Sequence, residues 1–252
     1  MARVAVLLWE GQSPVGDFKS PDAIQKDPME KARTVYDGVN ETVLSFVPSS
    51  AARILDVGCG TGMLGERLRQ SRDRYIVGIT YSPTEAELAS KRLSKVICAE
   101  LNGFDFSSLG KFDCVILSHI LEHLYFPDRC LESLKCVLHK ESVVVLALPN
   151  VVWWKQRLQF LVGKWRYQDS GILDRTHFRF FDGHSSKQLL EEAGYEILRV
   201  RRDGPFPLLR RPVRKMIGPL GERIDVFMSK LAPGLFAMQF VFLARMGAAS
   251  RS

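Results

Sequence analysis

The stretch Ile54-Leu55-Asp56-Val57-Gly58-Cys59-Gly60-Thr61-Gly62 runs from an apolar segment into a glycine-rich turn, with helix-forming residues after it. Glycines at that junction let the backbone turn sharply and let a ligand approach without a Cβ in the way. A second frame, Gly60-Thr61-Gly62-Met63-Leu64-Gly65, fits the dinucleotide pattern G-x-G-x-x-G, so a nicotinamide enzyme has to be weighed. Two features oppose it. Asp56 at the strand end would repel a pyrophosphate but suits the aminium of an amino acid-like ligand, and the frame begins late, because the strand already ends at Gly58. A second group, His119-Ile120-Leu121-Glu122-His123, places three candidate metal ligands at i, i+3 and i+4, one face of a helical turn. Local hydrogen bonding between Glu122 and His123 is the simpler use of these residues, and no metal site is assigned. Histidine also has the pKa of a general base. His177, in an aromatic segment, ranks first for that role, followed by His123 and His119, while His139 and His184 fall at loop or cap positions.

These residues need elements to hold them. Short apolar runs predict strands at Arg53–Val57, Tyr75–Thr80, Lys95–Ala99, Phe112–Ser118, Val143–Leu148, Tyr195–Arg201 and Phe236–Arg245. Amphipathic spacing predicts helices at Lys31–Val47, Met63–Gln70, Pro83–Ser94, Pro127–Leu138 and Ser185–Ala193. Strands alternating with helices predict an α/β, doubly wound, mostly parallel sheet with helices on both faces. Residues 1–30 hold five turn-forming glycines and prolines with no periodicity, which predicts an irregular N-terminal segment. Two stretches break the alternation: the aromatic 150–182, and 204–233, which holds five prolines and much of the basic charge. Insertions at the edge of such a sheet build the substrate side of a site.

Composition narrows the class. The chain has 252 residues, 46% hydrophobic and 25% charged, which excludes disorder and fibrous architectures. The longest apolar stretches fall short of the ~18 residues of a membrane span, and the first apolar run is too short for a signal-peptide core. Five cysteines without a C-x-x-C pair, four of them among apolar neighbours, read as reduced thiols and a cytoplasmic location. The net charge of +7 is concentrated in Arg199–Lys215, either a solvated basic face or a contact with an anionic surface.

The segment Asp56–Gly62 resembles motif I of the class I S-adenosylmethionine-dependent methyltransferases, and Ile76–Pro83 resembles their second strand and the helix start after it. The resemblance implies a seven-stranded, Rossmann-like methyltransferase fold, with residues 31–252 as one domain carrying the two insertions and S-adenosylmethionine as cofactor. It implies cofactor contacts from Asp56, Gly58, Gly60, Gly62, Thr80, Glu100 and Ser118. Thr80 stands where most members carry an acidic residue for the ribose hydroxyls; Glu100 matches the acceptor of the adenine amino group; Ser118 ends the fourth strand, beside the methionine part of the cofactor. Related enzymes acting on quinones and RNA ends hold a divalent ion with Glu-x-x-Glu-His, where this chain has His119 in place of the first Glu. Leu148-Pro149-Asn150, Trp154–Leu158 and Asp174–Phe181 are similar to a bacterial branch that modifies sugars, lipids or secondary metabolites, the first two also to the MetW-like proteins. The expected function is O-methylation of a small-molecule, saccharide or lipid-linked acceptor, with peripheral contact to the inner membrane face and no nucleic-acid partner. The alternatives are a cofactor-binding accessory protein without turnover and the nicotinamide oxidoreductase.

Overall fold

The computed structural model describes residues 38–205 and 216–247. Seven strands form one sheet: β1 (Arg53–Val57), β2 (Tyr75–Thr80), β3 (Lys95–Cys98), β4 (Phe112–Ser118), β5 (Leu138–Pro149), β6 (Tyr195–Asp203) and β7 (Gln239–Met246), in the order β3-β2-β1-β4-β5-β7-β6. The first five pair in parallel, and β7 runs antiparallel to both β5 and β6. The order turns back between β1 and β4. In a doubly wound sheet that reversal opens a crevice beyond the carboxyl ends of the strands.

Alternate residues of the central strands feed two layers. Ile54, Ile76, Cys114, Ile116 and Val145 pack with Leu64 and Leu68 of α2 (Met63–Ser71) and Ala89 of α3 (Pro83–Ser90). Leu55, Val57, Val77, Val115 and Leu117 face the other way, onto Leu131 of α4 (Pro127–Leu134) and Leu190 of α6 (Gly183–Glu192). Burial on both faces is why these strands read as continuous Ile/Val runs and not as alternating ones.

Several boundaries differ from the sequence expectation: α3 and α4 end early, at Ser90 and Leu134, β6 runs on to Asp203, and three others have a visible cause. Among the described residues the first helix, α1, spans only Glu41–Leu44, because the Asn40 side chain accepts from Val43 N and caps the chain there; residues 31–37 lie outside the described residues. β5 starts at Leu138, since a bulge opposite Phe112/Cys114 lets half-buried His139 and exposed Lys140 and Glu141 stay in the strand, and Ser142 Oγ donates 2.6 Å to Phe112 O to bridge the irregularity. β7 starts at Gln239, because Pro233–Phe236 coil into a short helix, α8. The expected insertions contain α5 (Trp154–Leu161) and α7 (Pro219–Leu231). Of the basic cluster, Arg210, Arg211, Arg214 and Lys215 lie outside the described residues, as do residues 1–30. Arg199 is used in packing: its guanidinium sits 3.8 Å over the Phe46 ring and Nη2 donates to Ser45 O.

Candidate cofactor and acceptor site

At the end of β1, Gly58 N and Cys59 N both donate to Ile79 O at 2.9 Å, which folds the loop back onto β2. Gly58, Gly60 and Gly62 all have positive φ, at 80°, 52° and 80°. Their surroundings separate their roles. A Cβ at Gly58 would lie 2.7 Å from Ile120 Cδ1, and one at Gly62 would lie 3.1 Å from Ala89 Cα, so both are filled by packing. A Cβ at Gly60 would meet nothing within 4 Å. Gly60 therefore faces open space, alone of the three. Gly65, last of the dinucleotide pattern, lies inside α2, where a Cβ would stand 2.3 Å from Leu93 Cδ2; its smallness serves the approach of helix to sheet.

Asp56 is almost wholly buried at the crevice, and that burial pushes its carboxyl up to about 7. A cationic ligand group would relieve this cost, whereas a pyrophosphate would add to it. At the end of β2, buried Thr80 donates through Oγ1 to Glu85 Oε2 at 2.7 Å. Glu85 lies in the first turn of α3, which Ser82 caps, so this pairing holds a carboxylate at the end of β2. Sequence reading missed Glu85, for which the only signal was its place in a first helical turn five residues after Thr80. Glu100, exposed after β3, accepts from Asn102 N (3.2 Å) and Nδ2 (2.8 Å), while Asn102 Oδ1 accepts from Tyr125 N. Ser118, half-buried, ends β4.

The histidines divide into two sets. His119 holds a left-handed backbone, φ 55°, and both ring nitrogens are engaged: Nδ1 lies 3.3 Å from Glu122 Oε1 and Nε2 lies 2.8 Å from Gln239 Oε1. Burial works to lower its pKa, but the bond to Glu122, the Glu122 charge and the bond to Gln239 raise it on balance. His119 thus sits on one side of Glu122 in an ion pair. On the other side, Leu121–His123 form a 3₁₀ turn, and His177 is brought there from the aromatic insertion. Phe178 N and Arg179 N both donate to Glu122 O, at 2.9 and 3.1 Å, and Arg179 clasps Tyr125 O through Nε and Nη2. The His123 and His177 rings stand edge to face with centroids 4.6 Å apart. His123 is half-buried and burial lowers its pKa, with His177 adding to the effect against the pull of Glu122. The i, i+3, i+4 spacing therefore does not gather His119 with His123 on one face. His177, 54 positions beyond His123, takes that place. No sequence signal tied the two together.

The methyltransferase domain family matches residues 30–200. Over 97 residues the chain is 34% identical to the biotin biosynthesis bifunctional protein BioHC of Saccharophagus degradans, covering 34% of this chain and only 17% of that one. It is 26% identical over 202 residues to the O-methyltransferase cnsE of Penicillium expansum, covering 75% of this chain and 67% of that one. An S-adenosylmethionine-dependent methyltransferase from Archaeoglobus fulgidus superposes with a TM-score of 0.53 at 18% identity, covering 77% of this chain and 86% of that one, a likeness of fold. A match over most of the sheet, together with the open glycine cradle and the buried carboxylate beside it, identifies the chain as a member of the methyltransferase domain family, class I in fold and with S-adenosylmethionine as its cofactor.

Proposed function

We propose that the chain transfers a methyl group to an oxygen of a small-molecule, saccharide or lipid-linked acceptor. The observation that carries this is the open space at Gly60 beside buried Asp56, a cradle for the amino-acid end of the cofactor, placed against the turn at Ile120 that leads to Glu122, His123 and His177. When bound, S-adenosylmethionine supplies an electrophilic methyl: the acceptor O–CH3 bond forms as the S–CH3 bond breaks, S-adenosylhomocysteine leaves, and the hydroxyl proton is lost. In this reading Asp56 takes the aminium, Thr80 with Glu85 takes the ribose hydroxyls, Glu100 accepts from the adenine amino group, and Ser118 borders the methionine part. His177 and His123 face the acceptor side, where they handle the hydroxyl. Holding the acceptor oxygen in line supplies much of the rate.

The acceptor side favours a ligand with both apolar and oxygen-bearing parts. Trp153 and Trp154 pack edge to face at 5.4 Å at the start of α5, within the aromatic insertion. Exposed Leu158, Leu161 and Val162 of the α5 region, and Leu220, Phe227 and Leu231 of α7 with Arg223 and Lys230 between them, support peripheral contact with an anionic membrane. Incubating the full chain with methyl-labelled cofactor and fractionated saccharide and lipid extracts tests the reading. Base-stable label in either fraction, lost in Gly60→Val, is the expected result. Cofactor binding without transfer to any fraction would favour an accessory role.

A further inference from the structure

Arginines gather at the end of the sheet opposite the cofactor crevice. Arg67 lies on α2, Arg72 and Arg74 lie in the link from α2 to β2, and Arg74 directly precedes that strand. The six residues of β2, about 20 Å of chain, separate this end from Thr80. Among the described residues none of the three arginines forms an ion pair. Their bonds go to neutral oxygens: Arg67 Nη1 donates to Gln70 Oε1 at 3.3 Å, and Arg72 Nη1 donates to Ser49 O at 2.8 Å. Arg74 is only 7% exposed, yet its guanidinium has one partner, Pro48 O, reached by Nη2 at 3.4 Å, while buried Nε has none. Burial, with Arg72 adding to it, disfavours the charge on Arg74. A buried guanidinium this short of acceptors is costly unless an anion compensates it.

Arg67 and Arg74 line a groove of about 420 Å³ whose apolar wall is Leu44, Val47 and Leu68, and no acidic side chain lines it. Asp73 lies instead in a neighbouring hollow, with Arg53 and Arg69. The C-termini of α1 and α2 oppose an anion here, but each carries at most about half a negative charge against three full positive ones. The balance stays positive. We propose that this groove binds a small organic phosphate, its phosphate oxygens held by Arg67 and Arg74 and its apolar part laid on Leu44, Val47 and Leu68. The volume is that of a small-molecule site. A guanidinium fork matches two oxygens of a phosphate, where a lysine offers a point charge. None of the lining residues belongs to the cofactor or acceptor side, so the site stands whatever the chain methylates.

Hexyl phosphate is the probe, with inorganic phosphate and hexanol as its separate halves. Calorimetry on the full chain at low salt is expected to give one site for hexyl phosphate, bound about 10-fold or more tightly than either half and weakened by added chloride. Arg67→Gln should lose about 10-fold in affinity at an unchanged melting temperature, since Arg67 is exposed and its only recorded bond is to Gln70. Arg74→Met keeps much of the volume and removes the charge, so without ligand it should melt no lower than wild type, while binding hexyl phosphate about 10-fold or more weakly. If Arg74→Met does not fold, Arg67→Gln decides alone. Titration with S-adenosylhomocysteine should be the same in wild type and both variants, which places the loss at the groove. Hexanol binding as tightly as hexyl phosphate, undiminished binding by Arg67→Gln, or folded wild type that binds no hexyl phosphate overturns the proposal.

Discussion

Replacing Asp56 by Asn should make the protein more stable while making it a poorer binder. Burial carries the Asp56 carboxyl from its ordinary 3.8 to about 7, which corresponds to about 4 kcal/mol disfavouring the charged form in the fold. The sign follows from proton counts. Between these values the folded chain holds a proton that the unfolded chain has released, so this contribution to stability is full below pH 3.8 and is lost as pH rises through 7. Urea denaturation followed by the fluorescence of the four tryptophans at pH 5, 6, 7 and 8 reads it directly. Wild type should weaken toward pH 8, and Asp56→Asn should gain progressively over it, by up to about 4 kcal/mol at pH 8. Calorimetry supplies the other half: S-adenosylhomocysteine should bind wild type more tightly as pH rises past 7, with proton release below that pH, and should bind Asp56→Asn about 1.5–3 kcal/mol more weakly without that pH dependence. An Asp56→Asn chain less stable than wild type at pH 8, or one that binds equally well, would refute the idea that the buried charge is held for a cationic ligand.

Gly60→Val should remain folded, losing roughly 1–2 kcal/mol to the left-handed backbone, yet lose its thermal stabilisation by S-adenosylhomocysteine, since the side chain enters only open space. Glu100→Ala should cost ~1–3 kcal/mol in cofactor binding, and an inosine analogue that wild type discriminates against should show little further loss in that variant; equal discrimination by both would place the adenine elsewhere. Glu85→Gln should weaken binding of the full cofactor but not of its 2′,3′-dideoxyribose analogue, as an equal loss with both would show that Glu85 does not serve the ribose. Flotation with anionic but not neutral liposomes, reversed by salt, is expected for the full chain, and its absence would remove the membrane contact.

The strands were legible because burial on both faces leaves runs such as Ile76–Ile79 with little polar interruption. The glycine loop was legible because the residues that shape it are consecutive. Boundaries failed where single polar side chains decide them: Asn40 caps α1 through Val43 N, a stop that apolar spacing does not register, and Ser142 stitches a bulge that extends β5 across charged positions. The cluster at Glu122 was the least legible part. Glu122, His123 and His177 are assembled by two amides donating to one carbonyl across more than fifty residues, a contact with no local pattern.

Leu93 has a consequence for how such sequences can vary. Its side chain fills the volume that a Cβ on Gly65 or on Gly78 would need, at 2.3 and 2.5 Å, so three positions on α2, β2 and the segment after α3 share one small space. An alanine at Gly65 alone would drive a methyl into Leu93, but the same alanine beside a trimmed residue 93 trades one volume for another. Positions 65 and 93 should therefore tolerate exchange as a pair where neither tolerates it singly. A motif search that treats Gly65 as a ligand contact would register that paired exchange as loss of a binding site when only the packing had moved.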